Sequence, residues 1–209
     1  MITTDTLVAV LFGSPTMIML LLCSIVVVTF VLERWWFFLK SNTSAHDFRS
    51  AMRKYLSHNQ ISEFANYCRN GRAPLHRIIG VALENSRDRK EEVDPLLDIE
   101  MEKEQLLMEK HLIILGTLAT IAPLLGLYGT VVGIIRAFHD IAVTGSGGSS
   151  VVAMGVSEAL LATAVGILIA VIATISYNTF VRKIRVRNIE VEDARTCYWK
   201  YLGKVGESE

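Results

Sequence analysis

Glu158 is the residue in this 209-residue chain whose type and position could carry chemistry. It stands in Val151–Val181, VVAMGVSEALLATAVGILIAVIATISYNTFV, and the 23 residues from Ala159 to Val181 carry no charge. A helix rises about 1.5 Å per residue and needs about 20 apolar residues to cross a hydrocarbon core. This stretch therefore reads as a membrane span with a carboxyl group about two or three turns inside its outer end. Left facing lipid, such a group costs roughly 2.5–3.5 kcal/mol on insertion scales, so it should face protein, water or a partner. No Lys, Arg or His within the spans is expected to pair with it. Withdrawal from water favours the neutral form of any carboxyl, and a carboxyl that takes and releases a proton at membrane depth is a candidate proton relay.

The other polar residues at depth are Thr117, Thr120, Thr130, Ser157, Thr163, Thr174, Ser176 and Asn178. Hydroxyls in such places mostly bond back to the preceding helical turn. Thr163 lies five residues from Glu158, about 140° around an ideal helix, so the two cannot both point into one pore and one is expected at a seam between subunits. Nothing here suggests an enzyme, a cofactor or a metal. Cys23, Cys68 and Cys197 are scattered thiols without ligand or disulfide spacing. His46, His58, His76, His111 and His139 read as surface or interfacial residues, and no basic and aromatic stretch points to nucleic acid.

The chain has equal numbers of acidic and basic residues and is 51% hydrophobic, unusual for a soluble domain and ordinary for a membrane protein with one polar domain. The placement of the charges is the informative part. None falls between Asp5 and Glu33, between His111 and Arg136, or between Asp140 and Glu158. The pattern predicts an all-α membrane protein with three transmembrane helices, at 15–39, 111–138 and 151–181. Residues 1–14 hold no Lys or Arg, so the basic start of a cleaved signal peptide is missing and the first span is expected to be retained. Ile2 to Phe12 could form a short helix on the membrane surface. Glu33 to Lys40, ERWWFFLK, is a charged and aromatic collar of the kind found at an interface.

Twelve of the 21 Lys and Arg lie in Lys40–Lys110 and seven follow Val181. The positive-inside rule then puts 1–14 and the 139–150 turn in the periplasm, and 40–110 and the 182–209 tail in the cytoplasm of a bacterial inner membrane. The cytoplasmic block reads as helices. Ser44 caps one to about His58, Ser62 marks the start of ISEFANYCRN, Gly71 stops it, and Pro74 opens PLHRIIGVALENSRD. Asp94-Pro95 reads as an N-cap and first helical residue, with Leu96, Ile99, Leu106 and Leu107 on one side. No breaker follows, so one helix is expected from Pro95 to about Phe138. The third span should likewise continue to about Tyr201, and both extensions suggest a cytoplasmic helical bundle.

Small residues line each later span. Ala119, Ala122, Gly126, Gly129 and Gly133 recur on one face of the second, and Ala159, Thr163, Gly166, Ala170, Ala173 and Tyr177 on one face of the third. Such faces want another helix pressed close, whether within one chain or in a ring of chains.

The segments APLLGLYGTVVGI (Ala122–Ile134) and GVSEALLATAVGI (Gly155–Ile167), followed by Tyr177-Asn178, resemble the signature stretches of the MotA/TolQ/ExbB proton-channel family, and are most similar to ExbB. The resemblance implies a pentameric ring. Its second and third spans would line a pore around the single-span helices of an ExbD-like or TolR-like partner, and a TonB-like or TolA-like protein would carry the work onward. By the same match Glu158 is the pore carboxylate, Thr130 and Thr163 are pore threonines, and Asn178 is a polar residue near the inner end. Pro123, Gly126, Gly129, Gly133, Gly155 and Gly166 serve pore and helix packing. Where the family often has Pro before the Gly of its third-span motif, this chain has Met154. Three spans argue against MotA, which has four.

The function expected is a proton-channel subunit that energises TonB-dependent transport across the outer membrane. A TolQ-like role in envelope maintenance is the alternative within the family. A non-conducting scaffold would use the small stripes for assembly alone. An ion-coupled transporter or membrane enzyme would need a substrate cavity or an inverted repeat of broken helices, and neither is visible.

Overall fold

The computed structural model describes residues 14–41, 44–58, 60–86, 88–144 and 149–206. All elements among them are helices: α1 Pro15–Lys40, α2 Ala45–Ser57, α3 Ile61–Asn70, α4 Pro74–Glu84, α5 Lys90–Glu109, α6 Leu112–Thr144 and α7 Ser149–Gly206. Three segments, beginning in α1, α6 and α7, are long and apolar enough to cross a membrane. The expected surface helix over 2–12 lies outside the described residues. The helices divide between two compact units, Met1–Glu33 with His111–Thr179 and Arg34–Lys110 with Phe180–Glu209.

The first unit is built the way lipid demands, with small residues inside and large ones outside. Ala122, Ala137, Ala159, Ala162 and Ala173 are buried, while Leu124, Leu127, Ile135, Leu160, Leu168 and Ile175 are exposed. A Cβ added at Gly133 would come within 2.7 Å of the Ala159 methyl, and one at Gly155 within 2.9 Å of the Ala137 methyl. The two small stripes are therefore packed on each other within a single chain. Tyr177 closes the far end of this seam, since a Cβ at Gly116 would lie 3.2 Å from its ring. From α1, Met17, Leu20 and Val27 are buried, and Thr16 lies 3.5 Å from where a Gly129 Cβ would stand.

The second unit has a conventional apolar core: Phe48 and Met52 of α2, Phe64 and Cys68 of α3, Ile78, Ile79 and Ala82 of α4, Val93 and Leu97 of α5, and Val191, Ala194 and Tyr198 of α7. Ser44 caps α2 as expected, its hydroxyl accepting from the Asp47 N–H at 3.3 Å. Pro74 is the first helical residue of α4, and α7 runs past Tyr201 to Gly206. Burial pushes the Cys68 thiol up to about 12, so it is packing rather than chemistry. Tyr198 is fully buried and donates its hydroxyl to the Ala82 carbonyl at 2.8 Å. Tyr198→Phe is expected to cost about 1 kcal/mol, the net value of such a bond, read as a lower midpoint in denaturant with an unchanged slope.

Four expectations are corrected here. The N-cap of α3 is Gln60, with Ser62 already inside the helix. Helix α5 starts at Lys90 with Arg89 as its cap, so Asp94 and Pro95 lie within it. Asp94 is used instead as an acceptor, taking bonds from Arg195 at 3.1 Å and from the Trp199 indole at 2.9 Å. The single helix from Pro95 to Phe138 is broken, because α5 ends at Glu109 and His111 sits at φ 68° before α6 begins. Side-chain contacts hold His111 there: its Nδ1 lies 3.3 Å from Glu33 Oε2 and its ring 4.8 Å from that of Phe30. Finally, Leu96, Ile99, Leu106 and Leu107 of α5 are exposed, and the buried side of that helix carries Val93, Leu97, Glu104 and Met108. Glu104, only 4% exposed, is neutralised by Arg77 at 2.6 Å.

His76, expected at the surface, is buried. Its ring packs on Phe48 at 4.9 Å and Tyr67 at 5.3 Å, and its Nδ1 has no hydrogen-bond partner among the described residues. Burial lowers its proton affinity below the ordinary 6.5. The unfolded chain therefore binds the proton more readily, so this unit loses stability as pH falls below 6.5. A melt moved from about pH 7.5 to about pH 5.5 should drop further for the native protein than for His76→Leu.

Candidate functional site

Glu158 lies in the third turn of α7, where the helix carries Met154, Gly155, Ala159 and Ala162 toward α6. With Ser14 and Thr16 of the first span and Gly129, Gly133, Arg136, Ala137 and Asp140 of α6, these residues line a pocket of about 140 Å³. The glycines and alanines account for its existence: without long side chains in the seam, the space beside Glu158 stays open. Gly129, Gly133, Arg136 and Asp140 recur at intervals of three or four, the spacing of one helix face, with Ala137 beside them.

Polar side chains reach the pocket from three segments of the chain. The Ser14 and Thr16 hydroxyls are 2.8 Å apart and buried. His139 Nδ1 lies 3.6 Å from Asp140 Oδ1. Glu158 itself makes no hydrogen bond or ion pair among the described residues, which leaves its carboxyl open to the pocket. The expectation that no basic side chain would stand near it is corrected: Arg136 lines the same pocket. Ser14, Thr16, Arg136 and Asp140 were all missed as site residues. The sequence carries a signal for two of them, since Arg136 and Asp140 continue the helical spacing of Gly129 and Gly133.

The threonines behave differently from one another. Thr117, Thr120 and Thr174 donate to the carbonyls four residues back, and Thr130 to Leu127 O at 2.6 Å. These are the local bonds expected. Thr163 instead donates across the seam to Gly126 O at 3.0 Å, tying α7 to α6 of its own chain. Pro123 lies within α6, and Asn178 is exposed at the end of the first unit. The structure brings Glu158, Gly129, Gly133 and Gly155 to one pocket, sets Thr163, Gly126 and Gly166 in the adjoining seam, and leaves Thr130 and Asn178 out of the pocket lining. Among the described residues no group of three or more His, Cys, Asp or Glu is placed to hold a metal ion.

A carboxyl open to a small polar pocket in an apolar helix can accept and release protons. A family model described as the MotA/TolQ/ExbB proton channel family matches residues 70–193, which include all of α6 and α7 as far as Asp193, Glu158 among them. The chain belongs to that family. Similar proteins include the biopolymer transport protein ExbB of Salmonella typhimurium, 49% identical over 70 residues that cover 34% of this chain and 29% of that protein. The putative biopolymer transport protein ExbB-like 1 of Synechocystis is 31% identical over 177 residues, covering 81% of this chain and 68% of its own length. The Tol-Pal system protein TolQ of Pseudomonas aeruginosa is 38% identical over 82 residues, 39% of this chain and 36% of that one. The match to ExbB of Pseudomonas putida spans only 25% of that protein's length. As in other members of a membrane family, its matched region holds two of the three helices long and apolar enough to cross a membrane.

Proposed function

We propose that this chain is the proton-channel subunit of an ExbB-like inner-membrane motor. The observation that supports this most directly is Glu158: an acidic group within an apolar helix, open to a pocket, in a chain of a proton-channel family. In this reading 1–14 and the α6–α7 turn face the periplasm, and 40–110 and 182–209 face the cytoplasm, in keeping with the distribution of Lys and Arg. Several copies, five by family resemblance, surround the single-span helices of an ExbD-like partner whose own acidic residue exchanges the proton with Glu158. Each proton crossing 100 mV releases roughly 2.3 kcal/mol. Neutralising and recharging Glu158 in turn lets the enclosed helices shift, and a TonB-like protein passes the work to the outer membrane.

The test is complementation with the chain and its single-span partner expressed together. Bacteria lacking their own ExbB–ExbD pair should regain receptor-dependent uptake across the outer membrane, and bacteria lacking TolQ–TolR should stay sensitive to detergent. The opposite result would make the chain TolQ-like, the second reading that its likeness to TolQ supports. Rescue of neither, by a complex that assembles, would count against both.

A further inference from the structure

The pocket beside Glu158 holds three charged side chains, Glu158, Asp140 and Arg136, together with the hydroxyls of Ser14 and Thr16. Proton carriage gives a reason for Glu158. It gives none for an arginine lining the same pocket, the one Lys or Arg between Lys110 and Arg182 in the sequence. Apart from Arg136, the polar side chains of the pocket present only oxygen: two carboxylates and two hydroxyls. Oxygen-only sets of this kind suit hard metal cations, and about 140 Å³ is ample for such an ion with its remaining waters. Arg136 is exposed at this pocket, and its positive charge repels an entering cation; beside walls made of Gly129, Gly133, Ala159 and Ala162 that repulsion is screened less than in bulk water. A proton needs no coordination shell. It travels along hydrogen bonds and ends as an O–H bond on a carboxylate.

We propose that Arg136 is the residue that makes this path specific for protons, its guanidinium holding monovalent metal cations such as Na+ out of the Glu158 pocket. The proposal rests on the proton-carrying reading of Glu158. The charged and titratable groups lining the pocket are Arg136 and Asp140 from α6 and Glu158 from α7, with His139 beside Asp140; α1 and the residue before it contribute only the hydroxyl-bearing Thr16 and Ser14 among the described residues.

The experiment uses vesicles containing the full chain with its single-span partner, with proton uptake and Na+ uptake read by separate dyes under one imposed gradient. The native complex should take up protons equally in Na+ and in choline salts, with no Na+ entry above empty vesicles. Arg136→Gln should raise Na+ entry about tenfold or more, Glu158→Gln in the same background should remove that entry, and Arg136→Lys should restore exclusion. Arg136→Ser is a second neutral variant should the first fail to assemble. If a neutral variant assembles, conducts protons and still excludes Na+, the proposal is overturned while the reading of Glu158 stands. It is also overturned if the native complex already admits Na+. If proton uptake is absent from the native complex, or survives Glu158→Gln, the reading of Glu158 fails and this inference goes with it.

Discussion

Glu158→Gln is expected to lower proton flux through the reconstituted complex at least about 100-fold, the scale lost when a positioned proton-transfer group is removed. The replacement keeps size and hydrogen-bonding capacity and removes only the ability to bind and release a proton. Glu158 makes no bond to another described residue, so its loss should leave the fold intact; the variant should elute and melt as the native chain does. Glu158→Asp retains the carboxyl one methylene further from the pocket and should keep a fraction of the flux. A Gln variant that assembles and conducts like the native chain would make Glu158 a structural residue and favour a non-conducting scaffold.

Gly166→Val is expected to have the largest effect on stability. A Cβ at Gly166 would lie 2.6 Å from the Ala122 carbonyl oxygen and 3.1 Å from the Gly126 Cα. Both are backbone atoms that cannot rotate aside, so α6 and α7 must separate. Replacing a helical Gly gains up to about 1 kcal/mol in helix propensity, whereas overpacking a tight seam costs about 1–3 kcal/mol, and more for a branched side chain. The clash wins, and it also strains the Thr163 bond to Gly126 O. The melting temperature in detergent should fall and the assembled complex should be lost. Gly80 provides the contrast. A Cβ there meets nothing nearer than the Cys68 Cβ at 3.9 Å, so Gly80→Ala should be stabilising by about 0.5–1 kcal/mol. If both substitutions shift stability alike, the close approach at Gly166 is not what holds the seam.

The membrane class of this protein was legible from local patterns alone. Runs without charge mark the three spans because a buried charge in hydrocarbon is costly wherever the neighbours lie, and Glu158 stood out for the same reason. Ser44 and Pro74 were legible as helix starts because capping is a local matter of one side chain and the next few backbone N–H groups. The long α7 was legible because no Gly-Pro or turn signal interrupts Val181 to Tyr201.

Features that depend on which face meets which came from packing between helices. Arg136 came to the Glu158 pocket because the glycines of α6 set its register against α7, a relation between helices that spacing along either one does not contain. The same seam turned Thr163 onto Gly126 O. His111 breaks α5 from α6 at a positive φ held by Glu33 and Phe30, 78 and 81 positions earlier in the chain, where local propensity offered no stop. Whether a small-residue stripe serves its own chain or a neighbour is likewise a question of what lies opposite, and here Ala159 opposes Gly133 and Ala137 opposes Gly155 within one chain.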